Sequence, residues 1–190
     1  MPKIIDEEEV FAAVMNLVVA RGYGNATTKE MAAAAGIHEA TLFRKYESKA
    51  NLVLCAIQHY LSQAPLGEIR CTGDLEADMT AIAQSFIESN RLYGAIVATI
   101  LIETPRHPEL TEAMNLPFFH MAGLARVIQH YQDQDALLPE HPLRSLNALI
   151  GPLLVDYLFR RASGDLPVPP LDPRAYVEMF LSGRRRSNSA

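Results

Sequence analysis

Hydrophobic residues recur every three to four positions through most of this chain, which is the spacing that places them on one face of an α-helix. The first such pattern runs from about Asp6 to Arg21, with Val10 and Val14 on one face, and the glycines Gly22 and Gly24 follow it. No segment alternates apolar and polar residues as a half-buried strand does. The pattern therefore predicts an all-α protein.

The same spacing and the helix-ending residues predict the remaining helices. One helix follows Ser48 and ends near Tyr60, and the later ones span about 75–90, 93–103, 108–114, 117–133, 142–162 and 173–182. Pro152 lies inside the helix at 142–162 and is expected to kink it. The proline-rich segment 166–170 is expected to form an extended link.

Residues 27–49 predict two short helices joined by a tight turn. Thr27 and Glu30 have the spacing of a capping box, and Gly36 follows the last good helix former. Ile37 and Leu42 are apolar anchors that can face the same core. A small residue, a glycine and two apolar anchors in this order are typical of a helix-turn-helix, although a plain helical hairpin has a similar pattern.

The second of these helices is predicted over about His38 to Tyr46. The start of a recognition helix meets base edges, and flanking groups meet phosphates. Lys49 lies in the first turn of the next helix, where a cation is unfavourable unless an anion is also bound there. The positions expected to be exposed on the second helix are His38, Glu39, Ala40, Thr41, Arg44 and Lys45.

Composition and charge limit the other classes of function. The chain of 190 residues carries a formal charge of −5, and residues 1–60 hold six Lys and Arg against seven Asp and Glu, so any DNA-binding surface must be a local patch. Every lysine lies at or before Lys49. Two cysteines are too few for a disulfide scaffold. With neither a signal peptide nor a membrane span evident, we expect a cytoplasmic protein.

From Asp6 to about Tyr60 the chain resembles the TetR-like (TetR/AcrR) family of bacterial transcriptional regulators. The resemblance rests on Gly22-Tyr23-Gly24, Thr27-Thr28, Ala35-Gly36-Ile37 and the run from Thr41 to Leu52. It implies an N-terminal three-helix DNA-binding domain (1–50), a C-terminal helical domain for ligand binding and dimerisation (51–183) and a flexible tail (184–190). A homodimer would bind double-stranded operator DNA, and a small-molecule effector would change the spacing of its two DNA-binding domains.

The resemblance also assigns the residues that would bind DNA. Thr28, Phe43 and Lys49 would contact phosphates, while His38, Glu39, Ala40, Thr41 and Arg44 would lie at or near base edges. The full expected set is Thr27, Thr28, Lys29, His38, Glu39, Ala40, Thr41, Phe43, Arg44, Lys45 and Lys49. Three positions depart from the family pattern: Phe43 replaces the usual Tyr and so lacks a hydroxyl for phosphate, Tyr46 replaces Phe or His, and His38 replaces a Ser or Thr cap.

The middle helices are expected to enclose an effector cavity, because aromatic and methionine side chains suit an adaptable apolar pocket. The candidate lining residues are Met79, Phe86, Tyr93, Ile96, Ile100, Phe118, Phe119, Met121 and Tyr157. Glu103, His120, Asn147 and Asp156 are polar residues among apolar ones, and each is a candidate to orient an effector or a residue that faces solvent. The helices at 142–162 and 173–182 carry more apolar residues than one small core needs, which favours them as the dimer interface.

No motif for catalysis, cofactor binding or metal binding occurs. The six histidines are dispersed, no Cys/His cluster has zinc spacing, and nucleophile-elbow, Walker and dinucleotide patterns are absent. We therefore predict a ligand-responsive DNA-binding repressor that is not an enzyme and needs no cofactor. The alternative is a helical small-molecule binding or scaffold protein without DNA binding.

Overall fold

A computed structural model describes residues 6–164 and 169–185 of the chain. Eight α-helices occur in these residues: α1 (Glu7–Arg21), α2 (Thr28–Ala34), α3 (Glu39–Tyr46), α4 (Lys49–Leu61), α5 (Leu75–Glu103), α6 (Asn115–Asp133), α7 (Pro142–Ser163) and α8 (Pro173–Ser182). Two 3₁₀ helices span Pro65–Glu68 and Pro108–Met114. Within the described ranges there is no strand, only an isolated bridge between Leu137 and Arg185, so the all-α prediction is confirmed.

The observed helix ends agree best with the predicted ones where a capping side chain fixes the start of the helix. Asp6 accepts from the amide of Glu8 at the start of α1, Ser48 accepts from that of Asn51 at the start of α4, and Asp172 accepts from that of Arg174 at the start of α8. Such caps satisfy backbone N–H groups that have no partner inside the helix.

The prediction of two helices over 75–90 and 93–103 is wrong. α5 continues without a break from Leu75 to Glu103, because the expected gap at 91–92 contains neither proline nor glycine to end a helix. A Cβ atom added at Gly94 would lie 2.6 Å from Cζ of Tyr157, so the glycine serves a close approach of side chain to helix rather than a helix end. The segment at 108–114 is a 3₁₀ helix rather than an α-helix.

The chain forms two compact units that are not contiguous in sequence. The first contains residues 6–63 and 95–117, and the second contains 64–94 and 118–185, with residues 165–168 outside the description. The predicted boundary after residue 50 therefore differs from the observed division. The reason is that the apolar face of α4, with Leu52, Val53 and Ile57 buried, contacts α1 in the first unit.

The second unit has its own hydrophobic core, built from α5 to α8. Met79 and Ile82 of α5, Leu124 and Ile128 of α6, Leu146 and Leu149 of α7, and Val177 and Leu181 of α8 are all almost fully buried. Pro152 lies inside α7, and the helix runs on to Ser163. No helix within the described ranges is long and apolar enough to cross a membrane.

Two segments named from the sequence lie partly outside the described residues. The predicted link at 166–170 is described only at Pro169 and Pro170. Of the predicted tail, Arg184 accepts from the amide of Leu138 at 2.9 Å, and Arg185 pairs with Glu76 at 3.1 Å. These two arginines therefore make contacts within the second unit, and residues 186–190 are not described.

Candidate DNA-binding site

The helix-turn-helix of the first unit is held by the capping box predicted from sequence. The amide of Glu30 donates to Oγ1 of Thr27 at 3.2 Å, and the amide of Thr27 donates to Oε2 of Glu30 at 3.0 Å. Arg21 reaches the other carboxylate oxygen of Glu30 at 2.5 Å, which ties the end of α1 to the start of α2. Gly36 has a φ of 64°, so the turn needs a residue without a Cβ.

The outward face of α3 carries most of the predicted base-reading residues. His38, Ala40 and Arg44 are exposed and Thr41 is half-buried, whereas Leu42 and Tyr46 are buried and anchor the helix. His38 is the N-cap of α3, but its side chain makes no capping hydrogen bond. The imidazole is therefore not held by the helix end and can address a base edge.

Thr28 and Glu39 contact each other instead of both facing outward. The hydroxyl of Thr28 donates to Oε1 of Glu39 at 2.5 Å, and both residues are half-buried. The sequence assigned Thr28 to a phosphate and Glu39 to a base edge. Their contact joins α2 to α3 and occupies one oxygen of the Glu39 carboxylate.

Two predicted phosphate contacts lie beside the start of α4. Thr28 and Phe43 line a small notch together with Ser48, Leu42 and Leu52. The N-terminus of α4 opens nearby, with Ser48 accepting from the amide of Asn51 at 3.1 Å. Free amides at a helix start and a neighbouring cation attract a phosphate. Phe43, with 48% of its surface exposed, offers only a hydrophobic ring here.

The cations of the predicted surface differ in what they contact. Lys29 and Arg44 are exposed, whereas Nζ of Lys45 pairs with Oε1 of Glu7 at 2.6 Å. The hydrogen bond and charge of Lys45 lower the pKa of Glu7. Lys45 thus ties α3 to α1, and part of its charge is neutralised before any DNA arrives.

Lys49 is half-buried, and its partners were missed by the sequence reasoning. Its Nζ lies 4.1 Å from the ring centroid of Tyr23, a buried residue of the loop between α1 and α2. Burial lowers the pKa of Lys49, and the charges of Glu109 and Glu103 act in the opposite direction. Burial also raises the pKa of Tyr23 to about 12, with help from the charge of Glu109 and a hydrogen bond to it.

The loop at Tyr23 contacts residues that come from the end of α5. The amide of Gly24 donates to Oε2 of Glu103 at 3.3 Å, and the Tyr23 and His107 rings meet edge to face with centroids 4.9 Å apart. A Cβ at Gly22 would lie 2.9 Å from Oε1 of Glu103. Glu103, suggested by sequence as an effector-orienting residue, therefore belongs to the first unit. The two glycines beside Tyr23 were the only sequence signal of this close approach.

The predicted effector-lining residues are divided between the two units and differ in burial. Met79 and Phe86 are buried in the second unit, where Tyr93, Met121 and Tyr157 are half-buried. Phe118 and Phe119 are 63% and 70% exposed, so the structure does not place them in an interior cavity. Ile96 and Ile100 are buried residues of the first unit.

Polar side chains of the second unit differ in whether they have a hydrogen-bond partner. Among the described residues, Oγ of Ser89 and Nδ2 of Asn90 are buried without a hydrogen-bond partner. Asp156, by contrast, accepts from Arg160 at 2.7 Å, and Asn147 is exposed. Burial lowers the pKa of His120, which favours its neutral form.

Comparison with known proteins agrees with this arrangement. The family described as "Bacterial regulatory proteins, tetR family" matches residues 10–55. An uncharacterized HTH-type transcriptional regulator of Mycobacterium tuberculosis is 27% identical over 157 residues, which cover 82% of this chain and 75% of that protein. A TetR family transcription regulator from Marinobacter aquaeolei has a TM-score of 0.76 at 16% identity, over 95% of each chain. The Flavonoid-responsive Regulator FrrA has a TM-score of 0.69 at 19% identity, over 95% of this chain and 97% of that one.

The helix-turn-helix, the all-helical fold and these similarities define a class, the helix-turn-helix transcriptional regulators. Within that class, residues 10–55 match the tetR family of bacterial regulatory proteins. Members of this family are transcriptional regulators rather than enzymes, so the chemistry to be explained is binding.

Proposed function

We propose that this protein is a homodimeric repressor that binds operator DNA and releases it when a small apolar or amphipathic effector binds to the second unit. The observation that carries the proposal is the helix-turn-helix itself, in which α3 exposes His38, Ala40 and Arg44 while Leu42 and Tyr46 anchor it. A recognition helix mounted on a core in this way can enter the major groove.

The proposed phosphate contacts flank α3. Thr28 and Phe43 border the notch at the start of α4, and Lys49 lies in the first turn of α4. Phosphate contacts fix the position of a recognition helix but carry no sequence information directly. In this proposal they set the register from which His38, Thr41 and Arg44 address base edges.

The second unit supports the proposed effector class. Met79 and Phe86 supply buried apolar surface, and Ser89 and Asn90 supply buried polar atoms without partners in the described chain. A buried polar atom without a partner costs free energy, which a ligand's own polar group can recover. The solved fold of FrrA, whose name says that it responds to flavonoids, is compatible with a small-molecule response.

Exposed apolar residues on α7 and α8 support the proposed dimer. Leu146, Leu149 and Leu153 of α7 are used by the internal core, but Val155, Leu158, Phe159 and Met179 remain exposed. Large exposed apolar residues that are neighbours on helices mark protein interfaces. Two such helices from each protomer would form a four-helix interface that holds two recognition helices about one DNA turn, roughly 34 Å, apart.

The test is fluorescence anisotropy with the DNA upstream of the protein's own gene, against a random duplex of equal length. We expect tighter binding to the upstream DNA, and loss of that preference in Arg44→Ala. Equal affinity for the two duplexes at low salt would overturn the proposal, because phosphate contacts alone give no sequence preference.

A second candidate function is a helical small-molecule binding protein without DNA binding. Contacts within the first unit favour it, since Lys45 pairs with Glu7 and Glu39 accepts from Thr28. Lys49→Ala discriminates between the two. If the protein is a DNA-binding regulator, Lys49→Ala lowers its affinity for DNA because a phosphate contact is removed. If it is a small-molecule binding protein without a DNA site, Lys49→Ala leaves its weak affinity for DNA unchanged.

A further inference from the structure

One carboxylate lies among the predicted base-reading residues of α3. Glu39 is the first residue of this helix, between His38 and Ala40, which are both exposed. The N-terminal residues of a recognition helix meet base edges. DNA phosphates repel a carboxylate at such a position, and a base that offers it a hydrogen-bond donor offsets this repulsion. Glu39 therefore limits which bases α3 can read.

One oxygen of this carboxylate is already engaged. The hydroxyl of Thr28 donates to Oε1 of Glu39 at 2.5 Å, from α2 to α3, and both side chains are half-buried. In the described part of the chain, Oε2 of Glu39 has no hydrogen-bond partner and the carboxylate has no ion pair. A hydroxyl has a single proton, so the hydroxyl of Thr28 cannot also donate to a phosphate while this bond is formed. The contact thus holds Glu39 in place and leaves it one free acceptor.

The chemistry of a carboxylate discriminates among the four bases. An ionised carboxylate only accepts hydrogen bonds. In the major groove guanine presents two acceptors, and thymine presents an acceptor and a methyl group, so neither base can donate to it. Adenine presents its N6 amino donor beside the acceptor N7, which repels the carboxylate, whereas cytosine presents the N4 amino donor alone. Cytosine is therefore the base that suits this group best.

We propose that Glu39 selects a cytosine in each operator half-site by accepting a hydrogen bond from its N4 amino group through Oε2, and that Thr28 positions the carboxylate for this contact. The inference rests on the proposed function, because α3 must enter the major groove for the contact to form. It replaces the phosphate contact of the Thr28 hydroxyl by a positioning role, and it makes Glu39 a specificity-determining residue.

The test is selection by the full chain from duplexes that carry about 20 random base pairs, enough for two half-sites one DNA turn apart. We expect the parent to enrich C·G at one position of each half-site. Glu39→Gln should change this preference to A·T, because an amide accepts from N6 of adenine and donates to N7. The other enriched positions should not change. On two duplexes that differ only at this base pair, anisotropy should give about a fivefold preference for C·G in the parent.

Glu47→Gln is the matched control, because it removes the same charge from an exposed residue at the other end of α3. It should enrich the same bases as the parent. A carboxylate in the first turn also stabilises a helix through its dipole. If Glu39 has that role alone, Glu39→Gln weakens binding to all duplexes alike and keeps the preference for C·G, which would overturn the inference.

Two variants of Thr28 test its positioning role. Thr28→Val removes the hydroxyl at nearly constant size, and we expect the preference for C·G to fall by at least about twofold, while Thr28→Ser keeps the donor and the preference. An equal loss of affinity for every duplex would instead assign the hydroxyl to a phosphate. A parent that enriches no sequence overturns the proposed function and the inference together. An enriched sequence whose bases do not depend on Glu39 overturns the inference alone.

Discussion

At the scale of single residues, buried charge in the second unit is concentrated at Asp78. This carboxylate is 1% exposed, and it accepts from the Tyr131 hydroxyl at 2.5 Å and from the amide and hydroxyl of Thr72 at 2.8 and 2.6 Å. Burial alone would raise the pKa of Asp78, but the hydrogen bonds from Thr72 and Tyr131 outweigh it and lower the pKa. The ionised form therefore stabilises the fold.

Asp78→Asn should lower the free energy of unfolding at pH 7 by about 1–2 kcal/mol, because charge-assisted hydrogen bonds become neutral ones. The folded pKa lies below the unfolded one, so the contribution is complete above the ordinary carboxyl pKa and is lost as pH falls through the folded value. The difference in unfolding free energy between parent and variant should shrink as pH falls below the ordinary carboxyl pKa, about 3.9. Urea denaturation across this range measures it.

Glu178→Gln is the matched control, since Glu178 is an exposed carboxylate of the same unit. It should leave the unfolding free energy within about 0.5 kcal/mol of the parent. A gap between parent and Asp78→Asn that does not change with pH would show that the charge of Asp78 contributes nothing.

At the scale of elements, the sequence predicted helices well where local chemistry decides. The capping box of Thr27 and Glu30, the Ser48 cap and the Asp172-Pro173 start are all present. It failed where distant packing decides. A helix break was predicted between residues 90 and 93, but α5 continues, and Tyr157, more than sixty residues away, packs against it at Gly94.

In the candidate site, too, the sequence predicted the features that depend on local spacing and missed those that depend on distant contacts. The exposed face of α3 followed from helical spacing, so His38, Ala40 and Arg44 were placed correctly as surface residues. The contact of Gly24 with Glu103 joins residues 79 positions apart, and no periodicity reports such a pairing. DNA contact by the predicted residues remains a prediction.

The recognition element provides a gain-of-function test. Phe43→Tyr places a hydroxyl at the notch where the family usually has one, so we expect operator affinity to rise by about threefold to tenfold through a new phosphate hydrogen bond. Anisotropy titrations with the same operator duplex measure the change. Phe43→Leu, which adds no donor, should not gain affinity, and equal gains in both variants would exclude a phosphate hydrogen bond.

At the scale of the whole molecule, we expect assembly to depend on the apolar residues that the internal core leaves exposed. Phe159 is 60% exposed and Val155, one turn earlier on α7, is 50% exposed. Met179 of α8 is 68% exposed. Repressors that read a two-fold symmetric operator need both protomers, because each supplies one recognition helix.

Phe159→Asp should convert the proposed dimer to a monomer, because a charge at the centre of the proposed apolar interface would lose its hydration. Sedimentation equilibrium should then give the mass of one chain, 21.0 kDa. Operator affinity should fall by at least about tenfold, since the second half-site no longer binds with the first.

Leu143→Asp is the control for this variant. Leu143 is an exposed leucine of the same helix, 39% exposed, and lies about 160° around α7 from Phe159 at 100° per residue. It should remain dimeric. A Phe159→Asp protein that stays dimeric would exclude this face of α7 from the interface.

The two-part composition of the first unit has a consequence for protein engineering. A DNA-binding domain excised at residue 50 or 63 would lack residues 95–117, including Leu110, which is fully buried in the intact chain. It would also leave Gly24 and Tyr23 without their partners Glu103 and His107. Chimeric biosensors that graft this domain onto a foreign sensor should therefore transplant both segments, or redesign the surface that the second segment covers.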